Sequence, residues 1–298
     1  MSPMTRILCL GAMHWDIIGH SAQPLAPGDD VPGHIRQQPG GVALNVALAL
    51  ARLGQRVALL SVLGCDAPGE ALIAEAAQRG VDTRWILRDG RLATGSYVAI
   101  ESPQGLVAAV ADTRALDAAG TAILAPLRDG SLGDATAPWQ GTLVVDGNLS
   151  PEVLAAIACD PCLAAARLRI VPASPEKALR LRALIAHPGA ILHLNRAEAE
   201  ALAGRDLPRA DRAAEAVLAL GARRVLVTDG ASLVADAAQG APTLALTPPR
   251  VAAVRVTGAG DMFLSAHLAA EAGGADRPTA LARALDAATL HVCGKDLP

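Results

Sequence analysis

Short apolar runs alternate along this chain with segments in which apolar residues recur at helical spacing. Most runs are closed by Gly, Asp or Pro, which is typical of a buried strand that ends in a loop. The pattern predicts strands over residues 6–11, 57–63, 142–147, 168–172, 190–194 and 224–230, with strand-like pieces at 232–236 and 243–247. It predicts helices over residues 42–53, 68–79, 151–158, 176–186, 196–203, 208–219 and 278–293, and a long helix that opens near residue 261. This alternation indicates the α/β class, with a doubly wound, mostly parallel sheet and helices on both faces.

Two segments interrupt the alternation. Residues 17–38 contain brief extended pieces separated by Pro and Gly, and residues 92–111 return to strand-like spacing on either side of Gly105. Because Pro and Gly break helices, both segments predict extended excursions from the main body. We therefore expect one domain over residues 1–298, in which the two inserts form a small β lid.

Composition narrows the class of protein. The 298 residues are 52% hydrophobic and carry a formal net charge of -3. No apolar run approaches the ~18 residues that a membrane span needs, and the first residues lack the layout of a signal peptide. Five scattered cysteines argue against a disulfide framework, and Cys159 and Cys162 have C-x-x-C spacing without a second pair. We expect a soluble cytoplasmic protein in which these cysteines are incidental and not zinc or redox groups.

Two scarcities restrict the chemistry further. Aromatic residues make up 2% of the chain, and the only lysines are Lys177 and Lys295. Proteins that bind single-stranded nucleic acid need aromatic platforms beside a basic groove, so we expect no nucleic-acid partner. Neither lysine lies in a P-loop motif, so any phosphate must be held by backbone amides and arginines.

The strongest local signal is the motif Thr-Gly-Ala-Gly-Asp at residues 257–261, which opens a helix. Gly258 and Gly260, on either side of Ala259, allow several amides to point at one spot beside the positive end of the helix dipole. Asp261 would lie next to a phosphate held there. Such a pair suits phosphoryl transfer, in which amides stabilise charge and a carboxylate deprotonates the attacking hydroxyl. Glycine-rich turns are also common, and acids favour helix starts for dipole reasons alone.

A second glycine pair, Gly40 and Gly41, opens the helix that carries Asn45. A ligand can approach the backbone closely at such a pair, and an amide side chain can bind sugar hydroxyls. Asp16 follows the first strand, at the edge where open α/β sheets bind ligands. Taken alone, each of these residues is better explained as a helix cap or a turn residue than as a ligand-binding residue.

Together, these motifs resemble the ribokinase (PfkB) family of carbohydrate and nucleoside kinases along the whole chain. Further segments match in the expected order, at residues 63–70, 80–83, 195–198 (N-x-x-E) and 227–230. The resemblance implies a ribokinase-like fold and an enzyme that uses ATP and Mg²⁺. Within the family, the segments that look most like pseudouridine kinases are residues 16–21, 29–35, 39–42, 94–97, 109–112 and 145–149.

The resemblance also implies roles for single residues. Asp261 would be the catalytic base acting on a sugar 5′-hydroxyl, and the anion hole would comprise the amides of Gly258, Ala259 and Gly260. The substrate would be held by Asp16, Gly40, Gly41, Asn45, Tyr97 and Asp112. The ATP side would comprise Asn195, Thr228, Gly230, Gly258 and Gly260. Mg²⁺ would be organised through water by Asn195 and Glu198.

Arg255 departs from the family pattern. Members that use a monovalent cation usually have Asp six positions before the catalytic Asp, where this chain has Arg255. Because a guanidinium would repel K⁺, we expect activity that does not depend on potassium, unless Arg255 simply points to solvent. The histidines at 14, 20 and 34 fit no metal motif, and we expect His14, His20 and His34 at the surface of the lid or at the substrate rim.

Three hypotheses for the function follow. The first is an ATP-dependent kinase of the pseudouridine 5′-hydroxyl, and the second is a related kinase of ribose, another nucleoside or another sugar. The third is a non-catalytic sensor, which the intact Asp261 and amide loop disfavour. Similar kinases imply a homodimer through the lid. With so few aromatic residues, the bases of ATP and substrate are expected to rest on aliphatic and backbone surfaces.

Overall fold

The computed structural model of this chain describes residues 7–295. The described residues form strands β1 (Ile7–Leu10), β2 (His14–Ser21), β3 (Gly33–Gly40), β4 (Val57–Leu60), β5 (Val62–Gly64), β6 (Leu87–Asp89), β7 (Ser96–Ser102), β8 (Gly105–Asp112), β9 (Thr142–Asp146), β10 (Arg167–Val171), β11 (Ala190–Asn195), β12 (Arg224–Thr228), β13 (Val234–Ala238) and β14 (Ala241–Leu246). The helices are α1 (Val42–Arg52), α2 (Ala67–Gln78), α3 (Arg114–Ala119), α4 (Pro151–Cys159), α5 (Pro175–Ala178), α6 (Arg196–Ala203), α7 (Ala210–Leu218), α8 (Ala259–Ala272) and α9 (Arg277–Val292). Short 3₁₀ segments lie at Gly120–Leu127, Pro161–Leu163 and Leu179–Leu184.

Eight strands form the central sheet, in the order β4-β1-β9-β10-β11-β12-β13-β14. β1 pairs in parallel with β4 on one side and with β9 on the other, so that Ile7 lies level with Val57 and Thr142. The parallel pairing continues to β12, after which β13 and β14 add an antiparallel edge. Parallel neighbours need crossover connections, which helices provide here. The prediction of a doubly wound, mostly parallel α/β fold is confirmed.

Side chains of the central sheet alternate between two faces, and helices cover both. Leu8 and Leu10 belong to the core beneath α3, α4, α5, α6 and α7. Ile7 and Cys9 belong to the core beneath α1, α2 and α8. Helix α9 packs against α8 and covers the antiparallel edge with it. Fully burying one leucine contributes about 1.5–3 kcal/mol, so these two layers fix the position of the sheet edges that carry the site.

A second, four-stranded sheet has the order β3-β2-β7-β8 and is formed by the two predicted inserts. In β2, Asp16 lies level with Gln38 of β3 and with Tyr97 of β7, on one face of this sheet. Large apolar side chains on the opposite face are exposed, including Ile35 (72%) and Val110 (72%). This sheet therefore presents a polar face with Asp16 and a bare apolar face.

Two predicted elements are divided in the structure. The run 57–63 forms β4 and β5 because Ser61 donates a hydrogen bond to the carbonyl of Gly11 (2.6 Å), while its own carbonyl accepts one from the amide of Leu87 (2.8 Å). β5 then pairs with β6 instead of continuing in the central sheet. The predicted helix 176–186 is a single α-turn followed by a 3₁₀ segment. The predicted strand 6–11 begins one residue outside the described range.

Candidate active site

The start of α8 supplies the first part of the site. Gly258 caps the helix with φ of 82°, a left-handed conformation that favours glycine, and Asp261 follows in the first turn. The amide of Ala259 donates to the carbonyl of Val256 (3.1 Å). The Ala259 amide predicted for the anion hole is therefore already engaged within the turn. Gly258 and Gly260 both line the adjoining cavity.

Asp261 meets a residue from the other end of the chain. Its Oδ2 accepts a hydrogen bond from Nδ2 of Asn45 (3.0 Å), which lies in the first turn of α1. Burial raises the pKa of Asp261 to about 7, the Asn45 contact lowers it, and the negative charges of Asp146 and Asp16 raise it further. A carboxylate whose pKa lies near neutral pH is suited to accept a proton from a hydroxyl group.

The glycine pair before α1 is closely packed against Asp16 and the end of β1. A Cβ on Gly40 would lie 2.1 Å from Oδ1 of Asp16, and one on Gly41 would lie 2.4 Å from the carbonyl oxygen of Ala12. Gly41 also has φ of 98°, a conformation that L-residues rarely adopt. Oδ1 of Asp16 lies 3.1 Å from Nε2 of His14. Glycine at position 40 therefore lets the Asp16 carboxylate lie against the backbone, and glycine at position 41 allows both the positive φ and the close approach of the Ala12 carbonyl.

Asp146, at the end of β9, is a buried anchor beneath the glycine pair. Its Oδ2 accepts hydrogen bonds from the amides of Ala12 (2.8 Å) and Ala43 (3.1 Å), and its Oδ1 accepts one from Asn148 (2.8 Å). Burial raises the pKa of Asp146, and the amides oppose that rise. One carboxylate oxygen thus ties the turn after β1 to the start of α1 and holds the two parts of this region together.

The N-x-x-E motif forms a capping box at the start of α6. Oδ1 of Asn195 accepts from the amide of Glu198 (2.9 Å), and Oε2 of Glu198 accepts from the amide of Asn195 (2.8 Å). Glu198 is 6% exposed. Burial raises its pKa to about 7, to which the charge of Asp261 contributes, against the opposing hydrogen bonds to Asn195. The motif therefore has a structural role, and it also leaves a buried carboxyl group facing Asp261.

A cavity of about 280 Å³ separates Asp261 from this capping box. Its lining includes Asn195, Glu198, Thr228, Gly258, Gly260 and Asp261. Within the described residues, no three His, Cys, Asp or Glu side chains are grouped as a metal site. Mg²⁺ usually keeps several waters and takes only one or two protein oxygens together with phosphate oxygens. The oxygens of Asn195 and Glu198, and the mutual repulsion of Glu198 and Asp261, fit such a hydrated ion.

His193 is a buried polar group on the wall of the same cavity. It is 5% exposed, and neither ring nitrogen has a protein partner. Burial and the neighbouring charges of Arg169 and Arg224, together with His267, lower its pKa well below the usual value. Both ring nitrogens are buried within the wall, so the neutral ring packs there and presents no polar atom to the cavity.

An apolar slot of about 220 Å³ adjoins the start of α8. Its lining includes Thr228 and Gly230 and is otherwise mostly aliphatic, with Val234, Val251, Val256, Phe263, Leu285, Ala288 and Val292. A Cβ on Gly230 would meet nothing within 4 Å. The mostly apolar lining suits a heterocyclic base.

A wider cavity, of about 880 Å³, lies on the other side of Asp261. Its lining includes Asp16, Gln38, Asn45 and Asp261, together with Arg36, Arg52, Arg79, Glu101, Arg255 and His291. Asp261 also lines the 280 Å³ cavity, so its carboxylate stands between the two. We refer to the larger space as the acceptor cavity and to the smaller as the phosphate cavity.

Tyr97 and Asp112, both predicted to hold the substrate, lie on opposite faces of the second sheet. Tyr97 lies level with Asp16 in the second sheet, and burial and the charge of Asp16 raise the pKa of Tyr97. Asp112 lies level with Ser96, so alternation directs it to the opposite face from Asp16. Its carboxylate is bound by Arg114 (2.7 Å). That Asp112 contacts the substrate stays a prediction.

The predicted surface residues lie apart from the phosphate cavity. His20 and His34 lie level with each other in β2 and β3, and both are exposed. Cys159 is exposed and Cys162 is buried, and both are free thiols.

Several polar groups of the site received no role from the sequence. Asp146 carried a usable signal, because it ends a buried strand at the ligand-binding edge of the sheet. His193 lies inside an apolar run, and nothing in its spacing marks it. Lys177 reaches the site only through the tertiary structure, which brings its Nζ to Oδ1 of Asn148 (2.7 Å).

The model of the pfkB family carbohydrate kinases matches residues 4–296 of this chain, and the chain belongs to that family. It is therefore an enzyme of the sugar and nucleoside kinase class. The chain is 28% identical to the pseudouridine kinase of Escherichia coli (strain K12) over 263 residues, which cover 87% of this chain and 81% of that protein.

Solved structures agree with this assignment. A carbohydrate kinase from Agrobacterium tumefaciens is 32% identical with a TM-score of 0.80, and the match covers 96% of this chain and 90% of that one. The ribokinase of Arabidopsis thaliana, solved with ribose and ATP, is 19% identical with a TM-score of 0.78, over 97% of this chain and 93% of that one. At that identity the likeness concerns the fold. Among residues 7–295, no helix has both the length and the apolar character needed to cross a membrane.

Proposed function

We propose that this protein is an ATP- and Mg²⁺-dependent kinase that phosphorylates the 5′-hydroxyl of pseudouridine. The observation that carries the proposal is the position of Asp261, which lines both the acceptor cavity and the phosphate cavity at the start of α8. A base at this boundary can take a proton from a hydroxyl on one side while that oxygen attacks phosphorus on the other.

The transfer is a direct displacement. Asp261 accepts the proton of the 5′-hydroxyl while the 5′-oxygen of the substrate forms a bond to the γ-phosphorus of ATP. The bond from that phosphorus to the bridging oxygen breaks, and its electron pair leaves with ADP. The amides of Gly258 and Gly260 stabilise negative charge on the transferred group, aided by the dipole of α8. Asn45, bound to Asp261, orients the carboxylate.

Asn195 and Glu198 would hold Mg²⁺ through water in the phosphate cavity. When bound, the ion neutralises charge on the ATP phosphates. Glu198 lines this cavity and is already held by its capping hydrogen bond to Asn195, so it would lose little side-chain freedom on binding.

The two substrates would occupy opposite cavities. The ribose would be held in the acceptor cavity by Asp16, Gly40, Gly41 and Asn45, with Tyr97 beside them. The adenine would rest in the apolar slot, next to Thr228 and Gly230. Aliphatic walls explain how a chain with so few aromatic residues could bind a nucleotide.

The second sheet would act as the lid over the acceptor cavity, excluding water so that ATP is not hydrolysed. Its bare apolar face supports a homodimer, because Ile35 and Val110 would be covered by the same face of a second copy. Light scattering at micromolar concentration should give the dimer mass, whereas a monomer would contradict this part of the proposal.

Support for pseudouridine comes from the match to the E. coli pseudouridine kinase over most of both chains. The second candidate is a kinase of ribose or of another nucleoside, which the family match equally allows. A coupled assay of ADP release with pseudouridine, uridine, ribose, adenosine and fructose decides between them. We expect the highest kcat/KM with pseudouridine, and turnover of pseudouridine no better than that of uridine would contradict the assignment.

A further inference from the structure

The segment of residues 248–257 separates the acceptor cavity from the apolar slot. Val251 and Ala253 line the slot, Val254 and Arg255 line the acceptor cavity, and Val256 lines both. Residues 248–256 belong to no helix or strand. This connecting segment leads directly into Gly258, so its position sets the position of the amides at the start of α8.

The last turn of α9 holds the connecting segment in place. The carbonyl of Val292 accepts hydrogen bonds from the amides of Val254 (2.8 Å) and Arg255 (3.1 Å). His291 makes two further contacts, with Nε2 at 2.8 Å from the carbonyl of Thr257 and Nδ1 at 3.1 Å from Nη2 of Arg255. Of these contacts from α9, the one between His291 and Thr257 lies closest along the chain to Gly258, whose amide belongs to the predicted anion hole.

The two contacts determine the tautomer of His291. The carbonyl of Thr257 can only accept, so Nε2 carries the proton, and the guanidinium of Arg255 can only donate, so Nδ1 is the acceptor. A neutral imidazole satisfies both partners. Burial and the positive charges of Arg255 and Arg52 lower the pKa of His291, although the carbonyl of Thr257 opposes this, and the net lowering agrees with a neutral ring.

The ring of His291 also packs against Gly258. A Cβ on Gly258 would lie 3.4 Å from both Cε1 and Nε2 of the ring. Because the ring binds the carbonyl of Thr257 and contacts the next residue, it fixes the peptide plane between them. That plane carries the Gly258 amide, which the transfer step needs at a defined angle.

We infer that His291 is a positioning residue for phosphoryl transfer, which holds the Thr257–Gly258 peptide so that the amides at the start of α8 face the transferred phosphate. The inference rests on the proposed function. Although His291 lines the acceptor cavity, both of its ring nitrogens are engaged by the connecting segment, at Thr257 and Arg255. Loss of these contacts should therefore lower kcat, whereas the KM of the acceptor should change little.

Two substitutions test the role. His291→Leu keeps the bulk of the side chain but removes both hydrogen bonds, whereas His291→Gln retains one donor and one acceptor. We expect the Leu variant to lower kcat about tenfold with less than about a twofold change in acceptor KM, since small misplacements of catalytic groups cost this much or more. The Gln variant should recover most of kcat. His187→Leu, at a half-buried histidine before β11, is the matched control and should keep wild-type kinetics.

The kinetic assay uses whichever acceptor the wild-type enzyme turns over best, so failure of the pseudouridine assignment does not affect it. Wild-type kcat in the Leu variant, or loss of kcat that Gln does not recover, would overturn the inference. The ¹⁵N shifts of the His291 ring, identified by their absence in the Gln variant, report the tautomer without any turnover. We expect the proton on Nε2, and a proton on Nδ1 alone would also overturn the inference.

Discussion

The glycines on the two sides of Asp261 differ in what surrounds them. On the acceptor side, a Cβ on Gly40 or Gly41 would collide with Asp16 or the Ala12 carbonyl, at 2.1 and 2.4 Å. On the nucleotide side, a Cβ on Gly230 or Gly260 would meet nothing within 4 Å. The first pair is glycine because the protein itself fills the space. The space beside the second pair is open, and Gly230 has φ of 54°, which favours glycine whatever lies beside it.

The carboxylates repeat this contrast. Asp146 on the acceptor side accepts hydrogen bonds from three backbone amides, whereas Glu198 on the nucleotide side accepts one from the amide of Asn195 and lines the phosphate cavity. Burial raises the pKa of both groups. The acceptor side is thus held by contacts within the chain, while on the nucleotide side two carboxyl groups, Glu198 and Asp261, line an open cavity. Asp261 lies where the two sides meet.

Removing the base at this boundary should have the largest effect. Asp261→Asn keeps the shape of the side chain and the neighbouring Asn45, but it cannot accept a proton. We expect kcat to fall by about 10²–10⁴-fold, the range for general base catalysis, while calorimetry shows nearly unchanged acceptor binding. Asp206→Asn, at an exposed site, is the control. A variant at position 261 that stays fully active would refute the mechanism.

The acceptor side should not tolerate a methyl group. Gly41→Ala forces an L-residue into a conformation with φ of 98° and towards the carbonyl of Ala12. The strain costs on the order of 1–3 kcal/mol, and the displacement of the start of α1 should lower kcat/KM for the acceptor about 10²-fold. Thermal unfolding and steady-state kinetics measure both effects. Unchanged values would show that this side is not preorganised.

On the nucleotide side, replacing a glycine by alanine should weaken ATP binding without lowering the stability of the fold. Gly260→Ala lies in the first turn of α8 at ordinary backbone angles, where replacing glycine stabilises by about 0.4–1 kcal/mol. The melting temperature should therefore hold or rise, while the KM for ATP rises about tenfold because the methyl group enters the phosphate cavity. A lower melting temperature with an unchanged KM for ATP would mean that Gly260, like Gly41, is needed for the fold and not for ATP binding.

The smallest expected effect concerns monovalent cations. The guanidinium of Arg255 is held by His291 beside the start of α8 and would repel a cation bound there. We expect kcat to change less than about twofold when K⁺ replaces Na⁺ at constant ionic strength, since screening by the two salts is equal. A large activation by K⁺ would contradict this expectation.

Much of the fold could be predicted because its elements have clear periodicity and end signals. The start of α6 is an example, because its capping box lies within four consecutive residues, from Asn195 to Glu198, and can be read from the local sequence. Partners distant in sequence could not be predicted in the same way. β4 and β5 separate through the contact between Ser61 and Gly11, and Asp112 faces away from Asp16 because of the register between β7 and β8. These outcomes depend on pairings that no local pattern encodes.

The chemical identity of the product tests the central claim most directly. The wild-type enzyme is incubated with ATP, Mg²⁺ and pseudouridine, and the product is examined by proton-coupled ³¹P NMR. Transfer to the 5′-hydroxyl through Asp261 predicts a phosphorus signal split into a triplet by the two C5′ protons. A doublet from a secondary hydroxyl, or inorganic phosphate without a phosphorylated acceptor, would contradict the account.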